Sequence, residues 1–357
     1  MVADVTVVGT GIIALAAALE LADRGASVRL VGTTHAGNAS SAAGGMLAPS
    51  VHPASGRAHE FAVASLARYP GFVAALAART GLAIPLNDRG ILELAESEAD
   101  AARMMAELPA GSRWIGVEEL AVEEPALSCV FGAALHVGNR CVEPLPLMDA
   151  LRTAIASHER ISAVREDACE VRATDLSCHV LTDLESRLSS DWLVLAAGAW
   201  TPLIGGSGAA VGAVQPLRGQ MIAFEAAFAL RHVVCGASGY LIPRSDGTIV
   251  AGGTMEHAGF EATTTREGID SIRSAAIRLV PALEHTPVHS AWAGLRPATP
   301  DLMPIIGPDP ERPRLVHACG HSRNGILLAP LTAEVVADII TGTPSRYDIP
   351  EFVPGRH

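Results

Sequence analysis

The residues able to do chemistry fall into two groups, one acting through backbone and one through side chains. In the first, Gly9-Thr10-Gly11 directly follows the β-rich run Asp4-Val5-Thr6-Val7-Val8 and opens a stretch of helical composition from Ile12 to Arg24. Gly9 permits a tight turn and Gly11 lets backbone approach a bound anion. The opening amides of the helix, at Ile12 and Ile13, can then donate to a pyrophosphate. Ala14 occupies the third glycine position of this dinucleotide fingerprint, a substitution the pattern tolerates. The plainer alternative is close packing of a glycine-rich strand–helix turn. The fingerprint also expects a carboxylate after the second strand to bind ribose, but Val31 is followed by Gly32-Thr33-Thr34. Only a hydroxyl such as that of Thr33 is available there.

In the second group, Arg296 carries a planar fork that matches a carboxylate through paired hydrogen bonds, although a structural ion pair would use the same fork. Tyr240 opens Tyr240-Leu241-Ile242-Pro243-Arg244 in a chain with three tyrosines; its hydroxyl suits a carboxylate or water, or else a satisfied core position. The six cysteines lie far apart without a CxxC pair, which argues against a zinc site or a disulfide framework. They are expected to be buried, reduced thiols, and no metal is expected.

These residues must be positioned by a sizeable fold. With 357 residues, 49% of them hydrophobic and 18% charged, the chain suits an α/β protein of one large or two interleaved domains. A net charge of −12 disfavours nucleic acid and anionic membrane as partners and favours a small molecule. No apolar run reaches about 18 residues without a charge, so no membrane span is expected. No basic segment precedes the first strand, which points to the cytoplasm.

Along the chain, a βαβ unit ending at Ser27 to Val31 gives way to a Gly/Ala/Ser-rich segment from Ala36 to Pro49, suited to lying close to a ligand. His59 to Thr80 and Ser97 to Leu108 read as amphipathic helices, with an alternating strand at Gly90 to Ala95. Pro144 and Pro146 mark a turn before a helix at Leu147 to Ser157, and Val180 to Ser186 reads as part of a hairpin. A buried strand, Trp192 to Leu195, ends in a glycine turn at Gly198. Short antiparallel strands fill Val214 to Thr254, and Glu267 to Val280 is helical. A strand at Leu315 to Ala318, a loop from Gly320 to Asn324 and a helix from about Pro330 to Ile340 complete the chain.

Three further segments, Ser40 to Pro49, Val194 to Trp200, and Gly294-Leu295-Arg296-Pro297 with Gly320 to Pro330, together resemble the D-amino-acid oxidase superfamily of flavoproteins. The resemblance is greatest to its glycine oxidase branch, associated with thiazole biosynthesis, and runs from Val5 to about Gly342. It implies a Rossmann-like FAD-binding domain with a parallel central sheet, from residues 1–82, 141–213 and 290–357. A smaller, mainly antiparallel substrate domain would comprise 83–140 and 214–289.

By the same resemblance, non-covalent FAD contacts Gly9, Gly11, Ile12, Ile13, Thr33, Ser40, Ser41, Ala43, Gly44, Met46, Ala197, Gly198 and Trp200. Further contacts come from Arg296, Gly320, Arg323, Asn324, Gly325, Ile326 and Leu327. Arg296 holds the substrate carboxylate, Tyr240 and Arg323 assist, and Met255 lines the pocket. His321 shapes its loop and is not a base, because a neutral amine can release hydride by lone-pair push. The implied reaction is oxidation of glycine or a similar small amino acid by hydride transfer from Cα to flavin N5. Oxygen is the acceptor, and the products are oxo acid, ammonia and hydrogen peroxide. The alternatives are an oxidase of sarcosine, D-amino acids or a specialised amine, a dehydrogenase serving another acceptor, and a flavoprotein-like module without activity. A homo-oligomer is implied.

Overall fold

The computed structural model describes residues 3–51, 56–127, 131–237, 239–347 and 349–356. Its first sheet has a parallel centre in the order Ile161–Val164, Val28–Val31, Ala3–Val8, Arg187–Leu195, Leu315–Cys319. Side-chain alternation explains why these strands read as continuous apolar runs. Val5, Val7 and Val194 pack against the helices Ile12–Asp23 and Gly325–Thr341, whereas Val8, Leu193 and Leu195 pack on the opposite face with Val171 and Val180. The strand Arg187–Leu195 pairs with Ala3–Val8 on one side and with two strands on the other. Its first half pairs antiparallel with Cys178–Thr182 and its last residues pair parallel with Leu315–Cys319.

The second sheet runs in the order Val288–Ala298, Gln215–Glu225, Thr248–Gly252, Gly239–Pro243, Val233–Gly236, Ile91–Leu94, Ala133–His136, Ser112–Ile115. Every pairing is antiparallel except Val233–Gly236 with Ile91–Leu94. Helix Arg266–Leu279 covers one face through Ile272, Ala276 and Leu279, and Met46 and Cys141 pack against the other beside Met221 and Ile242. Residues 290–298, grouped with the cofactor domain on sequence grounds, form most of the edge strand of this second sheet, paired with Gln215–Glu225.

Two of the boundaries that differ from the sequence expectation lie at prolines. The last long helix begins at Gly325 rather than near Pro330, so Pro330 lies inside it. A proline has no amide to give the carbonyl four residues back. The buried Tyr69 hydroxyl donates to that carbonyl, Ile326 O, and Ser65 Oγ donates to Leu327 O at 2.7 Å. Pro144 and Pro146, expected in a turn, occupy the first turn of helix Pro144–Ser157, where a missing amide costs nothing.

Helices Gly56–Thr80 and Ser322–Thr341 are long and apolar enough to cross a bilayer by length and composition; in the second, 61% of the most apolar window is buried within the fold. Five cysteines are free thiols: Cys141, Cys178, Cys235 and Cys319 are buried, while Cys169 is exposed, contrary to expectation. Cys129 lies outside the described residues.

Candidate active site

A cavity of about 620 Å³ runs from the glycine turn after the first strand to the face of the second sheet. At its nucleotide end, Gly9 has φ +130° and a Cβ there would lie 2.3 Å from Ala196 O, so only glycine lets the turn close against the neighbouring strand. Gly11 makes room for a different contact. A Cβ on it would sit 3.1 Å from Ser40 Oγ, and that hydroxyl accepts the Ile12 amide at 3.0 Å. Ser40 therefore satisfies one of the helix's opening amides from another part of the chain. The Ile12–Asp23 and Gly325–Thr341 helices both begin at the cavity wall, with no acidic residue in the first turn and no capping side chain of their own. Two positive helix ends thus face one cavity.

Of the residues expected at the cofactor, Gly9, Gly11, Ile12, Ile13, Thr33, Ser40, Ala43, Gly44, Met46, Ala197, Gly198, Trp200, Arg296, Arg323, Asn324, Gly325 and Ile326 line the cavity. Ser41, Gly320 and Leu327 do not. The Ser41 amide is taken by Asn38 Oδ1 at 3.0 Å, which caps the short helix Ala39–Ala42. Gly320, at φ +70°, makes the turn after its strand, where a Cβ would meet Thr299 Cγ2 at 2.8 Å. Leu327 is 2% exposed and belongs to the core. Gly44 is close-packed, since a Cβ would lie 2.8 Å from Ile242 Cδ1.

At the opposite end of the cavity the second sheet contributes side chains. Arg296 lies flat over Gly219 of the neighbouring strand, where any Cβ would come within 2.1 Å of its Nη1. Arg296 Nη1 donates to Thr254 O at 3.0 Å, which fixes the guanidinium in the cavity wall. Tyr240 stands on the third strand in from that of Arg296, its hydroxyl donating to Met221 Sδ at 4.0 Å; burial pushes its phenol above the ordinary value while the nearby Arg296 pulls it down. The Arg323 guanidinium is lowered by desolvation and by the facing charge of Arg296. Two cations sharing one small space make an anion site. Met255 is at the rim, 59% exposed.

His321 is 2% exposed, bonded to Thr332 Oγ1 at 3.2 Å, and burial pushes its pKa down to about 3. It is neutral at ordinary pH. Cys235 and Cys319 also line the cavity, but burial raises both thiols to about 12, too high for a nucleophile.

Residues 4–339 match the family described as FAD dependent oxidoreductase. The chain belongs to the FAD-dependent oxidoreductase family. It is 33% identical to glycine oxidase from Pseudomonas putida, over 98% of each protein. It is also 34% identical to the bifunctional protein ThiO/ThiG from Synechocystis, over 99% of this chain and 54% of that one. Among solved structures it is similar to glycine oxidase from Geobacillus kaustophilus, with TM-score 0.92, 30% identity and 99% coverage of both chains.

The cavity of this FAD-dependent oxidoreductase fits its cofactor on structural grounds. Gly9, Gly11 and Gly44 let the chain pack closely around the cavity, and two helix N-termini, the first with its Ile12 amide held by Ser40, turn their positive ends toward phosphate oxygens and a flat ring carrying negative charge. The sequence reasoning missed several cavity residues, among them His35, Asn38, Asp167, Gly219, Met221 and Cys235. His35 stacks on Trp200 with ring centroids 4.7 Å apart. Asp167 follows the strand Ile161–Val164, and only its parallel pairing with Val28–Val31 brings it to the cavity. Gly219 had a readable signal once its strand was paired with the one carrying Arg296, because a long side chain needs an empty neighbour.

Proposed function

We propose that this protein oxidises glycine or a similarly small amino acid. A hydride leaves Cα for N5 of non-covalent FAD, the imino acid hydrolyses to oxo acid and ammonia, and oxygen takes the electron pair as hydrogen peroxide. The observation that carries this reading is the convergence of Arg296, Tyr240 and Arg323 on one end of a cavity whose other end is walled by glycine and helix N-termini.

Arg296 grips the substrate carboxylate, and its own bond to Thr254 O fixes where that carboxylate sits. Tyr240 donates its hydroxyl to the same carboxylate, which its raised pKa keeps protonated. Arg323 adds a second positive charge, and Met255 covers the entrance with a side chain that can shift as substrate passes. His321 supplies no base, since burial, which pushes its pKa down to about 3, leaves the imidazole a poor proton acceptor; the substrate nitrogen releases the hydride with its own lone pair. The remaining cavity residues expected at the cofactor, from Gly9 to Ile326, hold FAD.

The first sheet and its helices form the FAD-binding domain and the second sheet the substrate domain, with the boundary moved so that all of Val288–Ala298 belongs to the substrate sheet. A cytoplasmic site is supported by the five free thiols. The protein works as a homo-oligomer. The deciding experiment is anaerobic mixing of the yellow holoenzyme with glycine, sarcosine and D-amino acids in turn. Rapid loss of flavin absorbance with glycine supports the reading, and bleaching by none of the panel ends it. An oxygen electrode then tests the acceptor.

A further inference from the structure

The residue after the second strand that would bond ribose is not acidic in this chain, yet a carboxylate stands at that place. The strands Val28–Val31 and Ile161–Val164 run parallel with Val31 opposite Val164, and the pairing continues one residue further through Gly32 N to Val164 O at 3.1 Å. The two chains therefore leave the sheet side by side. Two residues beyond the first lies Thr33; three beyond the second lies Asp167. Asp167 Oδ1 accepts the Thr33 amide at 2.9 Å, and the Thr33 hydroxyl lies 2.9 and 2.8 Å from Oδ1 and Oδ2. Thr10 Oγ1 donates to Thr33 O at 2.9 Å, tying this pair to the glycine turn.

The backbone of Asp167 is held as firmly. Its amide donates to Asp183 Oδ1 and its carbonyl accepts the Asp183 amide, both at 2.9 Å. Its side chain is nevertheless 34% exposed and lines the cavity beside Gly9, Gly11 and Gly32. His35 Nε2 lies 3.4 Å from Oδ1. A carboxylate has roughly four lone-pair positions, and among the described residues Oδ2 is approached only by the Thr33 hydroxyl. An anion at the rim of an anion-binding cavity is unfavourable unless the ligand offers it hydrogen-bond donors. A ribose diol offers two.

We propose that Asp167, delivered by the loop after Ile161–Val164 and oriented by Thr33, is the carboxylate that accepts hydrogen bonds from the adenosine ribose hydroxyls of the cofactor. The ribose contact of the fingerprint is thus kept while its source moves from the second strand to the adjacent one. The same charge repels a ribose 2′-phosphate, so the site excludes that class of dinucleotide. The inference rests on the FAD reading above, and the test separates the two.

Apoprotein is titrated with FAD, with its 2′-deoxyadenosine analogue and with FMN, following flavin fluorescence, for wild type, Asp167→Ala, Asp167→Asn and Thr33→Val. Wild type is expected to prefer FAD over the deoxy analogue by roughly tenfold, the contribution of one charge-assisted hydrogen bond. Asp167→Ala should weaken FAD by about 30-fold or more, remove that preference, and leave FMN binding unchanged. Thr33→Val should lie between. Equal FAD affinity in Asp167→Ala and wild type overturns the proposal, as does an equal loss for all three flavins, the mark of a loop latch. If Asp167→Ala does not fold, Asp167→Asn decides: it keeps an acceptor for the Thr33 amide, and an undiminished preference for FAD over the deoxy analogue overturns the assignment. Wild type that binds no FAD sinks the cofactor reading itself, whereas wild type that binds FAD and its deoxy analogue equally sinks only Asp167.

Discussion

The two ends of the cavity are built from different materials. The end proposed for the nucleotide, on the first sheet, is walled mainly by backbone at Gly9 and Gly11 and the start of helix Ile12–Asp23, with Ser40, Thr33 and Asp167 the side chains at its edge. The end proposed for the substrate is made of long side chains, Arg296 and Tyr240 from the second sheet, Arg323 from the turn Ser322–Asn324 that follows the first sheet, and Met255 at the rim, with Gly219 as the flat seat on which Arg296 rests. A backbone wall fails when an atom is added, and a side-chain wall fails when one is removed. The lesson is that one cavity has two opposite sensitivities.

The sharpest way to break this contrast is Gly9→Ala. A methyl 2.3 Å from Ala196 O at φ +130° combines overpacking with backbone strain, roughly 4–6 kcal/mol together. The expected outcome is protein purified without flavin and with a Tm lowered by roughly five to eight degrees, read by the absorbance ratio and by calorimetry. A yellow, stable variant would show that the glycine end tolerates added atoms after all.

Next in size is Arg296→Ala, expected to cut kcat/KM about a thousandfold, roughly 4 kcal/mol, with flavin content and Tm near wild type. Arg296→Lys should recover little, because an ammonium cannot reproduce the fork. Steady-state kinetics against the amino acid found to bleach the flavin check both. Loss of flavin in Arg296→Ala would instead mean that this end, too, is cofactor scaffold.

What could be read from the sequence divides along the same line. Side-chain chemistry was visible by type in Arg296 and Tyr240, but the edge strand Val288–Ala298 that carries Arg296 was not read, and only its pairing with Gln215–Glu225 places the two residues on one sheet. Of the parallel centre, the strands Ala3–Val8, Val28–Val31, Arg187–Leu195 and Leu315–Cys319 were readable at least in part from their apolar runs, whereas Ile161–Val164, half exposed, was not. Backbone contacts were visible only where glycine marks them. Ser41 was placed at the cofactor although its amide is spent on Asn38, and the helix at Gly325 was expected five residues late because Pro330 reads as a start. Asp167 and His35 were missed because which strands lie side by side is a tertiary fact that no local pattern encodes.

His321 sharpens the contrast through pH. Burial holds its folded pKa down to about 3, below the value near 6.5 in an unfolded chain. The unfolded state therefore binds the extra proton between these values, so this contribution to stability is intact above pH 6.5 and is lost as pH falls toward 3. Between pH 7 and pH 5 the loss is about 2 kcal/mol. Thermal melts of wild type should fall more steeply over that interval than those of His321→Asn, while kcat/KM shows no inflection that this substitution removes. A vanished inflection would make His321 a participant in the reaction.

The smallest effect belongs to Tyr240→Phe. The hydroxyl is one of several donors around the same anion, and Arg296 keeps its own bond to Thr254 O when the phenol is gone. Losing one hydrogen bond to a charged group while the ring continues to fill its place costs about 1–2 kcal/mol, roughly a tenfold rise in KM with kcat little changed. The ring itself matters to the wall, because Gly252 and Gly253 lie against it with no room for a Cβ beneath the hydroxyl. Tyr240→Ala should therefore cost distinctly more than Tyr240→Phe and should lower Tm as well. Equal losses in the two variants would assign the whole effect to the hydroxyl and make this residue as critical to the substrate end as the arginine beside it.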